Sequence, residues 1–153
     1  MLSLIAAVSL SLSPPAVGAP VDFHFGAGPE THDFDAICDS HIVREFDIAE
    51  MPLATTSHVQ VDCQGYDYFG AERLAEFVFA DGALTHVWVL VEESELDDLQ
   101  SDFESAFGAP DARAPVFAAF FSARAAVRRD IPEALYYSEA AAPLFEAFFS
   151  GNR

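Results

Sequence analysis

The chain has 153 residues and contains no lysine and only seven basic residues, all arginine, against 25 aspartates and glutamates. The formal net charge of −18 repels phosphate groups, so the composition disfavours nucleic acids and anionic lipid surfaces. Long apolar runs are also scarce, and the longest, at the N-terminus, is shorter than the roughly 20 residues that a membrane-spanning helix needs. We therefore expect no nucleic-acid partner and no stable membrane span.

Signatures of catalysis and of cofactor binding are absent from the sequence. It has no His-Glu-x-x-His, no EF-hand loop and no Gly-x-Ser-x-Gly motif. Residues 39–41 are Asp-Ser-His, but adjacent side chains diverge and cannot form a catalytic triad. We predict no catalytic residues, no metal site and no cofactor. The alternative is a metal- or thiol-dependent hydrolytic enzyme that uses Cys38, His41, His58 or Asp62.

Histidines and aspartates are concentrated at one place, the N-terminal part of the predicted mature chain. Imidazole and carboxylate groups are suitable ligands for zinc or copper. Their spacing matches no closed metal motif, and acidic residues are frequent throughout the chain, so we favour no specific metal site. The residues concerned are His24, His32, Asp33, Asp35, Asp39 and His41.

The first 18 residues are typical of a cleavable signal peptide. Residues 1–12 are apolar apart from serines, and residues 16–19 are small residues of the kind that signal peptidases cut. Because Pro20 disfavours a cut after Ala19, we predict a cut after Gly18. The basic residue usual at the start is missing, so a misassigned start codon or a buried N-terminal strand are the alternatives. We expect a protein exported to the periplasm or secreted.

The chain has two cysteines, Cys38 and Cys63, both beyond the predicted cut. An even pair in an exported protein favours a disulfide, which stabilises the fold by about 3 kcal/mol in the chain-entropy model. Alternation places Val59, Val61 and Cys63 on the core side of a strand, where a helix that bears Cys38 can dock. Two buried free thiols are the alternative.

Residue periodicity predicts an α+β fold, with an antiparallel sheet and two or three helices packed against it. After an irregular lead-in at 19–30, a single domain spans 31–153. Asp81-Gly82 predicts a type I′ hairpin with Phe79 opposite Leu84 and Phe77 opposite His86. We expect strands at 42–48, 58–63, 73–80, 83–92, 116–121, 125–129 and 134–137, and helices at 31–40, at 94–107 and from 138 or 142 onward.

Residues 64–72 are predicted to be a glycine-bounded loop that carries Tyr66, Tyr68 and Phe69. Exposed aromatic side chains on a loop provide contact area for a partner, so these three are our candidate binding site. The alternative is that they fold back onto the core. The resulting hypothesis is a non-catalytic binding or interaction protein of the cell envelope, whose partner is an unknown protein or small ligand.

Two further groups of residues suggest surfaces for binding. Arg124, Arg128 and Arg129 could hold a carboxylate or phosphate, although pairing with the surplus acidic residues is favoured. The last helix has an aromatic side that could bind a partner if it is exposed, although docking on the sheet is favoured. That side is formed by Leu144, Phe145, Phe148 and Phe149.

Overall fold

The structure is a computed structural model that describes residues 17–151. Within that range, eight antiparallel strands form one sheet in the order β1-β2-β3-β4-β8-β7-β6-β5. The strands are β1 (Ser40–Phe46), β2 (His58–Tyr68), β3 (Ala71–Ala80), β4 (Ala83–Leu90), β5 (Ala112–Ala114), β6 (Phe117–Phe120), β7 (Ala125–Arg128) and β8 (Glu133–Tyr137). The helices are α1 (Phe34–Ile37), α2 (Leu96–Phe107) and α3 (Ala142–Phe149). This confirms the predicted α+β class, with sheet as the larger component.

Each face of the sheet has its own core. On one face, α2 and the segment before β1 cover a large cluster centred on Phe77, Phe103 and Tyr136. On the other face, α3 and the segment that follows β1 cover a smaller cluster that includes Leu135 and Tyr137. Burial of each large apolar side chain contributes about 1.5–3 kcal/mol, so the larger cluster supplies most of the stability.

Helix α2 follows the predicted pattern closely. Leu96, Leu99 and Phe103 recur at helical spacing, and all three are buried. A capping box formed by Glu92 and Glu95 precedes the helix, and Gly108, with φ of 85°, ends it.

The Asp81-Gly82 hairpin is confirmed, because both residues have the positive φ angles of a type I′ turn. Phe79 lies opposite Leu84 as predicted, but His86 lies opposite Val78 rather than Phe77. An irregularity in the β3–β4 pairing accounts for the difference, because β4 has one more residue than β3 between these two pairs. Strand β4 lies centrally between β3 and β8, as its apolar faces predicted.

The predicted loop at 64–72 is wrong, because β2 and β3 continue through it. A bulge between the Cys63 and Tyr66 pairs lets β2 extend to Tyr68. A tight turn follows, in which Phe69 and Gly70 both have positive φ angles.

Helix α1 is shorter than predicted and is capped by Asp33. The short strand β5 was not predicted.

The predicted disulfide is present. Cys38, at the end of α1, is bonded to Cys63 of β2, with 5.3 Å between their Cα atoms. Both residues are buried, so the bond fastens α1 onto the core face of the sheet.

The N-terminal segment contributes to the larger core. Phe23, in the predicted lead-in, is buried and its ring centroid lies 5.2 Å from that of Phe77. The predicted signal peptide lies outside the described residues except for Val17 and Gly18. Over the described range 17–151, no helix has the length and apolar character needed to cross a bilayer.

Candidate functional site

The three aromatic residues proposed as a binding loop do not form an exposed loop. Tyr66 and Tyr68 are buried, because the bulge in β2 turns both toward the larger core. The Tyr66 hydroxyl donates to Asp22 at 3.1 Å, and the Tyr68 and Tyr136 hydroxyl oxygens lie 2.6 Å apart. Phe69 is half-buried against the same core. The placement matches the alternative of aromatics folded onto the core, and their role in binding stays a prediction.

The residues proposed for a hydrolytic site each contact other groups. Cys38 is in the disulfide and is therefore unavailable as a thiolate. His41 contacts Asp35, with 3.6 Å between Nδ1 and Oδ1. His58 Nδ1 lies 3.3 Å from the carbonyl oxygen of Asp47. Asp62 accepts hydrogen bonds from Arg44 and Gln60.

Of the three N-terminal histidines, His32 is buried, whereas His24 and His41 are exposed. Among residues 17–151, no group of three His, Cys, Asp or Glu side chains is arranged to hold a metal ion. His32 is buried, with Nδ1 3.0 Å from the carbonyl oxygen of Gly28, and its Nε2 accepts from the His24 amide at 3.2 Å. Burial lowers the pKa of His32, which favours the neutral ring that this pair of bonds requires.

A groove between α3 and the sheet is the best candidate for a binding site. Its volume is about 570 Å³, within the range of small-molecule sites. Two other depressions, of about 340 and 550 Å³, have more polar or shallower walls. The apolar wall of the groove consists of Trp88, Phe117, Leu144, Phe145, Phe148 and Phe149.

Helix α3 supplies one wall of this groove. Phe145 and Phe149 are four residues apart and point toward the sheet, where Phe145 stacks on Tyr137 at 5.0 Å and Phe149 contacts Phe117 at 4.8 Å. Leu144 and Phe148 form the neighbouring stripe, and Phe148 is 58% exposed. The docking of α3 on the sheet therefore leaves part of its aromatic side accessible.

The segment between β1 and β2 supplies the opposite wall through Pro52. Met51 and the residues after it pack on Val78 and Ala80 of β3. Asp81 holds the end of this segment, because its carboxylate accepts from the backbone amides of Thr55, Thr56 and Ser57 and from both threonine hydroxyls. These bonds lower the pKa of Asp81 well below its usual range.

One end of the groove is polar. The guanidinium of Arg128 lies 5.7 Å from the centroid of the Trp88 ring, within cation–π distance. Its Nε donates to Asp130 at 2.8 Å and its Nη1 donates to Glu133 at 3.2 Å. A single arginine therefore faces two carboxylates, and the polar end is not a free cationic site.

Glu133 is the deepest charged group near the groove, with a side chain only 6% exposed. Burial raises the pKa of Glu133 to about 7, with Arg128 acting in the opposite direction and Glu76 and Asp130 adding to the rise. Burial also raises the pKa of Glu76 on β3, which lies opposite Trp88 of β4 on the same face of the sheet. Glu133 and Glu76 are thus more easily protonated than ordinary glutamates, whereas the hydrogen bond from Arg128 lowers the pKa of Asp130.

His86 packs against Phe145, and their ring centroids are 5.0 Å apart. The Thr85 hydroxyl donates its hydrogen to the Val78 carbonyl. It therefore accepts a hydrogen bond from His86, whose Nδ1 lies 3.0 Å from Thr85 Oγ1. Burial lowers the pKa of His86 to about 3. His86 is therefore a buried, neutral histidine of the core.

The walls of the groove hold aromatic rings and one arginine that is paired with two carboxylates. Trp88 and Phe117 were not predicted as site residues from the sequence. The signals available were a lone tryptophan on a strand that is apolar on both faces, and the aromatic side of the last helix. Comparison with known proteins gives no match: no family model fits the chain, and no curated protein or solved structure is significantly similar to it.

Proposed function

We propose that this chain is an exported, non-catalytic binding protein whose groove takes an apolar ligand that carries a positive charge. The observation that carries the proposal is the aromatic groove between α3 and the sheet, with its partly open wall at Phe148. The apolar walls supply most of the binding free energy, and the polar end sets the orientation of the ligand.

The charge of the ligand follows from the surroundings of the groove. Arg128 is already engaged by Asp130 and Glu133, so the polar end offers an incoming anion no unpaired arginine. The net charge of −18 attracts cations and repels anions over distances of about 10 Å at moderate salt. Aromatic ring faces also attract cations, and Trp88 and four phenylalanines provide them.

Export is supported by two observations that are independent of the groove. Residues 1–18 have the composition of a signal peptide. The disulfide between Cys38 and Cys63 is compatible with an oxidising compartment outside the cytosol.

The ligand class is tested with a matched pair of probes, phenylbutylammonium and phenylbutyrate, which differ in the sign of the terminal charge. Trp88 is the single tryptophan of the chain and lines the groove, so its fluorescence reports occupancy. We expect the ammonium probe to bind at least about tenfold more tightly at low salt, a difference of about 1.4 kcal/mol. Added salt should reduce the difference.

The variant Phe148→Ser should weaken binding of the ammonium probe, because it removes an exposed wall of the groove. Ile131→Ser is the matched control, since Ile131 is 46% exposed and does not line the groove. Equal affinity for both probes would refute the charge preference. No response of Trp88 to either probe would refute the groove as the ligand site.

A further inference from the structure

The two edges of the sheet are built differently. Strand β5 has three residues and lies between Pro110 and Pro115, both of which blunt an edge. Strand β1 has seven residues and no proline, and Ile42 and Val43 on it are 63% and 60% exposed. A long edge with exposed β-branched residues is a template for pairing with another strand. Among the described residues, the β5 edge is protected by its short length and by prolines, whereas β1 has only the charged Arg44 and Glu45.

The outward-facing backbone groups of β1 can be assigned from the register of the neighbouring strands. The Asp81 amide donates to the Ser57 carbonyl at 2.9 Å, so residues 57, 59 and 61 of β2 bond to β3, and the residues between them face β1. Their partners on β1 are the even-numbered residues. The backbone N–H and C=O groups of His41, Val43 and Glu45 therefore point away from the sheet.

We propose that β1 pairs with β1 of a second copy of this chain, antiparallel, about a two-fold axis that passes through Val43. Val43 then lies opposite Val43 of the partner subunit, and His41 lies opposite Glu45 of the partner subunit. Three outward residues on each strand offer one donor and one acceptor apiece, which gives about six backbone hydrogen bonds across the interface. The two sheets join into one continuous sheet.

Charge selects this register over its neighbours. An axis at Ile42 sets Glu45 opposite Asp39 of the partner subunit, and an axis at Arg44 sets Arg44 opposite Arg44 of the partner subunit. Both arrangements place like charges directly across a strand pair, which is destabilising. The axis at Val43 instead pairs apolar with apolar and a histidine with a carboxylate. The net charge of −18 on each copy opposes association, so added salt should strengthen the dimer.

The test is sedimentation of the disulfide-bonded protein at low and high salt, from micromolar to near-millimolar concentration. Hydrogen exchange of the backbone amides gives the register. We expect a dimer favoured by salt, in which the amides of His41, Val43 and Glu45 gain protection with concentration while those of Ile42 and Arg44 are protected throughout. A chain that remains monomeric in high salt at the highest concentration would overturn the proposal.

Variants on β1 distinguish dimer formation through this edge from association through other surfaces. Val43→Lys places two ammonium groups at the two-fold axis, and Val43→Pro removes an outward N–H without removing a bond to β2. Each should weaken the dimer at least about 100-fold, or about 2.7 kcal/mol. Ile131→Lys is the control, because it makes the same charge change at an exposed apolar residue outside β1. Dimers of Val43→Lys as strong as those of the unmodified chain, or a Val43-dependent complex with a different protein, would refute self-pairing.

Discussion

The hydroxyl of Tyr136 donates a hydrogen bond to the backbone carbonyl of Val17, at 2.8 Å, in the buried interior of the protein. Its oxygen also lies 2.6 Å from the Tyr68 hydroxyl oxygen, so the two tyrosines and the Val17 carbonyl form a continuous chain of hydrogen bonds. Since Tyr136 donates to Val17, the hydroxyl of Tyr68 donates to Tyr136. The Val17 carbonyl is thus the final acceptor for both hydroxyl groups.

This arrangement predicts how the point of signal cleavage affects stability. A chain that begins at Ala19, as the predicted cut after Gly18 produces, loses the acceptor and leaves one buried hydroxyl hydrogen without a partner. An unsatisfied buried donor costs about 1–3 kcal/mol. We expect a chain that begins at Ala19 to unfold at lower urea concentration than one that begins at Val17, with about 2 kcal/mol of the difference due to the lost hydrogen bond.

Tyr136→Phe is the control for the cleavage experiment, because it removes the donor in both chains. The stability difference that remains in that background measures the buried Val17 side chain alone, since Val17 is only 2% exposed. A difference as large as in the unmodified chains would show that the hydrogen bond contributes nothing. The masses of the protein secreted by an exporting host show which of the two ends is made.

A second prediction concerns Asp81 and the wall of the groove. Asp81→Asn replaces one acceptor oxygen with an NH₂ group, which cannot accept from the amides and hydroxyls of Thr55 and Thr56. We expect faster hydrogen exchange at the amides of residues 55–57, a lower Tm, and weaker binding of phenylbutylammonium because Pro52 is less firmly placed. Calorimetry and hydrogen exchange check these outcomes.

The matched control for Asp81 is Asp67→Asn, which makes the same change of charge at an exposed position of β2. The pKa of Asp81 is lowered in the folded state, so its contribution to stability is present above its usual pKa of 3.8 and is lost as the pH falls below that value. Identical pH profiles for Asp81→Asn and the unmodified chain below pH 3.8 would contradict this role of the carboxylate.

Local patterns predicted the parts of the fold that local interactions determine. The Asp81-Gly82 turn needs two positive φ angles, and the stripe of α2 needs only helical spacing, so both are readable from short segments. The bulge that buries Tyr66 and Tyr68 was not readable, because Gly65 and Gly70 resemble the ends of a loop. Phe69 adds to the difficulty, since its φ of 48° is uncommon for a bulky residue.

The groove could not be predicted because its residues are distant in sequence. Trp88 on β4 meets Arg128 on β7 only because β8 inserts between β4 and β7, and strand order is not encoded in local periodicity. Phe117 and Phe149 meet through the docking of α3 across the same strands. The aromatic side of α3 was visible in the sequence, but its division into a buried and an exposed stripe depends on where the sheet lies.

Glu133 provides the last prediction, because its carboxyl is buried beside Arg128 at the polar end of the groove. Its pKa of about 7 in the folded state is above the 4.5 of an ordinary glutamate, so folding favours the protonated form. The contribution of the Glu133 carboxyl to the stability of the fold is therefore complete below pH 4.5 and is lost as the pH rises through 7. The lowered pKa values of His32 and His86 act in the opposite direction, since their contribution is lost as the pH falls below 6.5.

Comparison of Glu133→Gln with the unmodified chain isolates the carboxyl, because both proteins share the two histidines. Glutamine imitates the protonated acid and keeps an acceptor for Arg128. We expect equal free energies of unfolding near pH 4.5 and a variant that is more stable by about 2 kcal/mol above pH 7, as measured by urea unfolding. Glu139→Gln, at an exposed position, should leave the pH profile unchanged. A Glu133→Gln protein that is less stable than the unmodified chain at high pH would mean that the ion pair with Arg128 outweighs the cost of burying the charge.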